Sequence, residues 1–159
     1  MKKIFSIIAI LSLVALIFSV IILLQKATGS QSIDNFCSTI DPSSQCDKVQ
    51  QSVYSQILGI PNPVFGIFGF SLMIALSLYA MHGKKQYTAA KILIIAGGMI
   101  AGLMSLWFLY LQIFVLHAYC VFCLLVDASS LALLGVSVYL LSHNRNAKPV
   151  GNKKNKRKP

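Results

Sequence analysis

Four long apolar runs, separated by intervals of very unequal length, dominate the chain: roughly Ile4 to Leu24, Pro63 to Met81, Ile92 to Leu116 and Ala118 to Leu141. Each meets the length of about 20 helical residues that a hydrocarbon core about 30 Å thick requires. Backbone N–H and C=O groups in lipid find no water, so such a run closes its hydrogen bonds within itself as a helix. The pattern predicts an all-α membrane protein. Residues 1–142 form a four-transmembrane-helix bundle with spans about 4–24, 63–81, 92–116 and 118–141 and an outer loop over 26–62, and 143–159 is a basic tail.

Finer patterning fills in the intervals. In the loop, "DPSSQC" reads as a turn. From Asp47, Val49, Val53, Tyr54 and Ile57 fall near one side at helical spacing, and Gly59 stops the pattern; a short amphipathic helix on the bundle's outer rim is expected over 47–58. Asn62 suits an N-cap and Pro63 the first helical position of the second span. Gly98 and Gly102 form a G-x-x-x-G, which permits close helix contact or is simply the common glycine of membrane helices. The third and fourth spans are joined too tightly to hold a domain between them, so they are antiparallel neighbours.

Composition agrees: 56% of the 159 residues are hydrophobic, against only four acidic ones. That is too apolar for a soluble domain of this size. The net charge of +10 points away from nucleic acid because of where it lies. Lys2 and Lys3 precede the first span, Lys84, Lys85 and Lys91 lie between the second and third, and seven Lys or Arg follow the fourth, whereas the 26–62 loop has only Lys26 and Lys48. The positive-inside rule then places both termini in the cytoplasm and the long loop outside. The tail reads as a disordered cytoplasmic anchor that touches anionic lipid. The N-terminus starts like a secretory signal. Its apolar run nevertheless exceeds the usual h-region of about 7–15 residues and "LLQKATGS" has no clean small-x-small site, so a retained first helix is expected.

All four cysteines fall on the outer side, Cys37 and Cys46 in the loop and Cys120 and Cys123 in "CVFC" where span four begins. That compartment permits disulfides. In a C-x-x-C the sulfurs lie one helical turn apart, and the first sits where helix N-terminal N–H groups favour a thiolate, so Cys120 is expected to be the more reactive thiol. Two structural disulfides, a zinc site using both pairs, or a thiol relay ending at the membrane all satisfy the count. A disulfide closing so small a loop stabilises little, and a four-thiolate metal centre against lipid is costly.

"CSTIDPSSQCDKVQQSVYSQILGIPNPVFG" followed far downstream by "YCVFC" resembles the vitamin K epoxide reductase family, over roughly residues 5–140. The likeness is to its short bacterial members, disulfide-generating quinone reductases. Its elements agree in order: a loop cysteine pair, a serine six residues after its second member, an Asn-Pro-x-x-Gly opening span two, and a C-x-x-C opening span four. The resemblance implies that Cys120 and Cys123 are the active-site redox pair, with Cys123 nearer the quinone. It makes Cys37 and Cys46 the shuttle pair, Cys37 meeting the partner and Cys46 passing electrons to Cys120. Ser52 matches the family's loop serine, Asn62 the asparagine that hydrogen-bonds a quinone oxygen, and Phe65 a pocket aromatic. Ubiquinone or menaquinone would be the electron acceptor, without metal or flavin, in a bacterial inner membrane with the cysteines on the periplasmic side. This chain departs from the family pattern in three ways. Asp127 stands where some relatives carry a tyrosine, the loop pair has eight residues between its members, and no fused thioredoxin-like domain follows. The partner is therefore expected to be a separate periplasmic thioredoxin-fold carrier.

Asp127 lies one turn inside a membrane helix, a costly place unless the carboxyl is paired, neutral or facing a polar cavity. It would either relay quinone protons or bond the adjacent helix, Ser129 or Ser130. His117 stands near Cys120 and could support its thiolate or merely face headgroups. Tyr110 and Tyr119 read as interfacial anchors. Two other functions compete with the relay: vitamin K epoxide reduction in an endoplasmic reticulum membrane, and a non-enzymatic scaffold braced by its cysteines. Only a relay needs a transient Cys46–Cys120 link.

Overall fold

The computed structural model describes residues 2–28, 35, 37, 39, 45–82 and 87–146. The "DPSS" turn, Lys84 and Lys85, and the tail beyond residue 146 lie outside these. Among the described residues, α1 (Lys2–Thr28), α3 (Asn62–His82), α4 (Tyr87–Tyr110) and α5 (Val121–Asn146) are the long helices, and the short α2 (Cys46–Gln51) lies between α1 and α3. Four segments are long and apolar enough to cross a membrane: Lys3–Ala27, Asn62–His82, Thr88–Val115 and Val121–Ser142. The protein is an all-α, multi-pass membrane bundle.

Helix α1 packs along α3 and α5, and α4 packs along α5, while the α3–α4 seam is the loosest of the four. Phe5, Ile8, Phe70, Ile94, Leu133 and Leu140 form the centre of the core. The glycine pair explains the tight seam. A Cβ on Gly98 would lie 3.1 Å from the Leu133 carbonyl oxygen, and one on Gly102 would lie 2.5 Å from the Leu134 Cβ. Both glycines therefore face α5 and let the two backbones approach.

Several boundaries differ from the sequence expectation. Helix α4 begins at Tyr87 rather than 92, because Ala89 and Ala90 extend it beyond the point where Lys91 interrupts the hydropathy, and Ala90 is buried. The fourth span begins at Val121 rather than 118. Span three ends in a π-turn over Leu111–Val115, with the Leu116 N–H donating to the Leu111 carbonyl at 2.8 Å, and His117 takes φ +44° in the non-helical link that follows. Helix α5 runs on to Asn146, four residues past the apolar span that ends at Ser142.

The amphipathic helix expected over 47–58 is cut short at Gln51. Ser52 is extended, and its hydroxyl donates to the Val49 carbonyl at 2.7 Å, closing the last turn. A 3₁₀ turn over Val53–Ser55 leads into a hairpin that pairs Gln56–Ile57 with Ile60–Pro61. Leu58 and Gly59 at its tip have φ of +53° and +81°, both positive as a two-residue type I′ turn demands. Gly59 thus turns a hairpin instead of ending a helix. Val49 is buried while Val53 is 90% exposed, so these residues do not share one face.

Candidate functional site

One end of the bundle collects all four cysteines. Cys37 and Cys46 are joined by a disulfide, and Cys120 and Cys123 are free thiols. Cys37, Cys46 and Cys120 belong to one apolar cluster with Val49, Ala118 and Phe122, and Cys123 packs on it. The loop carrying the disulfide is seated by a few hydrogen bonds. The Gln45 N–H donates to the Tyr119 carbonyl at 2.9 Å, Gln50 Nε2 to Gln25 Oε1 at 2.8 Å, and Lys26 Nζ to the Gln50 carbonyl at 3.2 Å and the Ser55 hydroxyl at 2.7 Å.

Cys120 immediately precedes α5, and its sulfur accepts the Cys123 backbone N–H at 3.4 Å, as a helix cap would. The thiol of Cys120 is held below its ordinary value. The main cause is hydrogen bonding from the Cys123 side chain; burial opposes it, and the backbone N–H groups of Cys123 and Phe122 and the Gln50 side chain add to it. Helix-terminal N–H groups stabilise an anion in this way. His117 does not join them: its Nδ1 pairs with the Ile113 carbonyl at 2.9 Å.

Below the cysteines, a cavity of about 600 Å³ runs along the loose α3–α4 seam. Cys123, Asp127, Asn62, Phe65 and Ser52 all line it, whereas the fully buried Cys120 lies outside the lining. Apolar residues from α3 and α4, including Phe70, Met73 and Met104, make most of the wall. Asn62 does not cap α3 as the sequence suggested. Its Nδ2 donates to the Tyr54 carbonyl at 2.7 Å, and its buried Oδ1 has no hydrogen-bond partner among the described residues.

Asp127 bonds neither Ser129 nor Ser130, whose hydroxyls donate to the Leu125 and Val126 carbonyls of their own helix. It meets the neighbouring helix instead. Gln112 Nε2 donates to Asp127 Oδ2 at 3.2 Å, and the Ser105 hydroxyl donates to the Asp127 backbone carbonyl at 3.0 Å. The Oε1 of the same Gln112 accepts the Cys120 backbone N–H at 3.2 Å. Sequence reasoning missed Gln112, Ser105, Gln50 and Lys26. The first two had a signal, since Tyr110 and Trp107 apart they are the only polar residues in the apolar run 92–116, and polar groups in lipid turn inward.

A membrane bundle that holds a disulfide above a dithiol, and opens one of those thiols onto an apolar cavity, has the parts of a membrane thiol–disulfide redox protein. The family model described as "Vitamin K epoxide reductase family" matches residues 6–138, and the chain belongs to that family. No individual curated protein matches it.

Proposed function

We propose that this protein is a thiol oxidase that passes electrons from a separate periplasmic thioredoxin-fold carrier to a membrane quinone, supporting disulfide formation. It would be of the short bacterial type, in the cell membrane, with both termini cytoplasmic as the lysine and arginine distribution favours. The observation that carries the reading is the asymmetry of the inner pair. Cys123 faces the cavity with Asn62 and Asp127, while Cys120 packs against the loop disulfide.

Electrons then have one direction of travel. A carrier thiolate attacks Cys37, releasing Cys46. Cys46 attacks the Cys120–Cys123 disulfide of the oxidised inner pair at Cys120, releasing Cys123 into the cavity; the carrier's second thiol then frees Cys37 and leaves as the oxidised carrier, and Cys37 attacks Cys46, restoring the loop disulfide and releasing Cys120. Two electrons leave the dithiol for the quinone, which takes up two protons and departs as quinol. A cavity of this volume lies within the range of about 300–1,000 Å³ common for small-molecule sites, and its walls suit an apolar ring with a prenyl tail. The Asn62 amide has a second N–H to offer a quinone oxygen and an unpartnered Oδ1 that can accept a quinol hydroxyl.

The test is quinone reduction by the purified protein with a reduced thioredoxin-fold carrier, followed by quinone absorbance, with Cys123→Ala alongside. Carrier-dependent turnover that disappears in the variant is the expected result. Failure with both ubiquinone and menaquinone analogues, with cysteine pairings that never exchange, would leave a braced scaffold.

A further inference from the structure

Among the described residues Asp127 is the one carboxyl lining the cavity, and its surroundings assign it a direction. It stands one helical turn beyond Cys123 on α5, so both side chains project to the same side. The Gln112 amide is locked at both ends: Oε1 takes the Cys120 N–H, so Nε2 must face Asp127. Gln112 therefore offers only a donor to Oδ2, and a proton on this carboxyl sits on the other oxygen, Oδ1. The Ser105 hydroxyl fixes the backbone at the same residue. The π-turn matters here because it carries Gln112, which is buried, to the level of Cys120 and Asp127 together.

Building on the function proposed above, we propose that Asp127 is the proton donor to the bound quinone, with Gln112 as the positioning residue that ties it to the redox pair. The reaction balances. Cys120 enters as thiolate, Cys123 as thiol and Asp127 as carboxylic acid; the sulfur–sulfur bond forms, two electrons pass to the quinone, and the Cys123 and Asp127 protons complete the quinol. One negative charge enters on sulfur and one leaves on the carboxylate. Asp127 is then reprotonated before the next turnover. Among the described residues the titratable side chains facing the cavity are Lys26, Tyr54, Cys123 and Asp127, and Lys26 is engaged with the Gln50 carbonyl and Ser55 at its mouth.

The experiment is single-turnover reduction of a short-chain ubiquinone by pre-reduced protein across a pH series. Asp127→Asn should slow electron transfer about 100-fold, the scale of a lost general acid, and flatten the pH profile while both inner thiols remain countable by a thiol reagent. Asp127→Glu should recover part of the rate. Gln112→Leu should move the midpoint of the profile, which a mere packing role would leave in place. Infrared difference spectra of the wild type supply a readout independent of any variant's folding: a carboxylic-acid band should be lost as quinol forms. An Asp127→Asn protein with wild-type rate and profile, or a carboxylic-acid band unchanged on turnover, overturns the proposal and leaves the oxidase standing. Wild type that reduces no quinone overturns both.

Discussion

Cys37 and Cys46 are joined to each other between α1 and α3, whereas Cys120 and Cys123 stand reduced where a membrane helix begins. Burial does not separate the pairs, since Cys37, Cys46 and Cys120 are 1%, 3% and 0% exposed. What differs is how each is held. Cys123 lies in the first turn of α5 with Cys120 just before it, and Gln112 in the π-turn after α4 bonds the Cys120 N–H, while α2 and the residues around it are seated through hydrogen bonds from Gln45, Gln50 and Lys26. In the proposed relay, the pair that exchanges with a protein carrier is the one outside the membrane-spanning helices. A pair that must present one sulfur to a cavity belongs on a rigid element.

The sharpest way to break this contrast is to strand the relay. Cys123→Ala should abolish quinone reduction and let the Cys120 thiolate attack the Cys37–Cys46 disulfide, so that a Cys46–Cys120 disulfide forms with Cys37 released as a thiol, read by mass spectrometry of non-reduced peptides; if only Cys37–Cys46 ever forms, the two pairs do not communicate. Next in size, Cys46→Ala should remove carrier-driven turnover almost completely. It should keep turnover driven by a small dithiol within several-fold of wild type, because the inner pair and cavity are untouched. Equal loss with both donors would mean that the loop pair supports the fold.

The rigidity of the inner pair's scaffold is open to a smaller perturbation. Gly102→Ala would drive a methyl against Leu134 in the α4–α5 seam. Thermal unfolding in detergent should show a loss of about 1–3 kcal/mol, the usual cost of overpacking. No loss would mean that the seam is slack.

The smallest effect concerns the Cys120 thiol. Its value in the folded protein is lowered, so the stabilisation it contributes is present above the unfolded thiol's value, about 8.5, and is lost as pH falls through the folded one. Alkylation of Cys120 should accordingly reach half its maximal rate below that ordinary value. Gln50→Leu removes one of the weaker donors and should raise the midpoint by less than about one unit, under about 1.4 kcal/mol. An unmoved midpoint would place Gln50 in loop seating alone.

By itself the sequence determined the four spans, the gathering of the cysteines at one end of the bundle, and the antiparallel pairing of the last two helices. These are local properties: twenty apolar residues cannot enter lipid without closing their own hydrogen bonds, and a tight connection leaves two helices nowhere else to go. It also named Cys123, Asp127, Asn62, Phe65 and Ser52, residues that the fold brings to one cavity. Only the tertiary structure decided that the cavity lies in the α3–α4 seam, because glycines close the α4–α5 seam against Leu133 and Leu134. It also decided that the loop helix stops at Gln51, where the Ser52 hydroxyl donates to the Val49 carbonyl. Asp127's partner was likewise beyond helical periodicity, which ranks the faces of one helix but does not say which neighbour packs on each. Gln112 reaches Asp127 and Cys120 because a π-turn, a tight link and a close helix pair bring three distant backbone positions together.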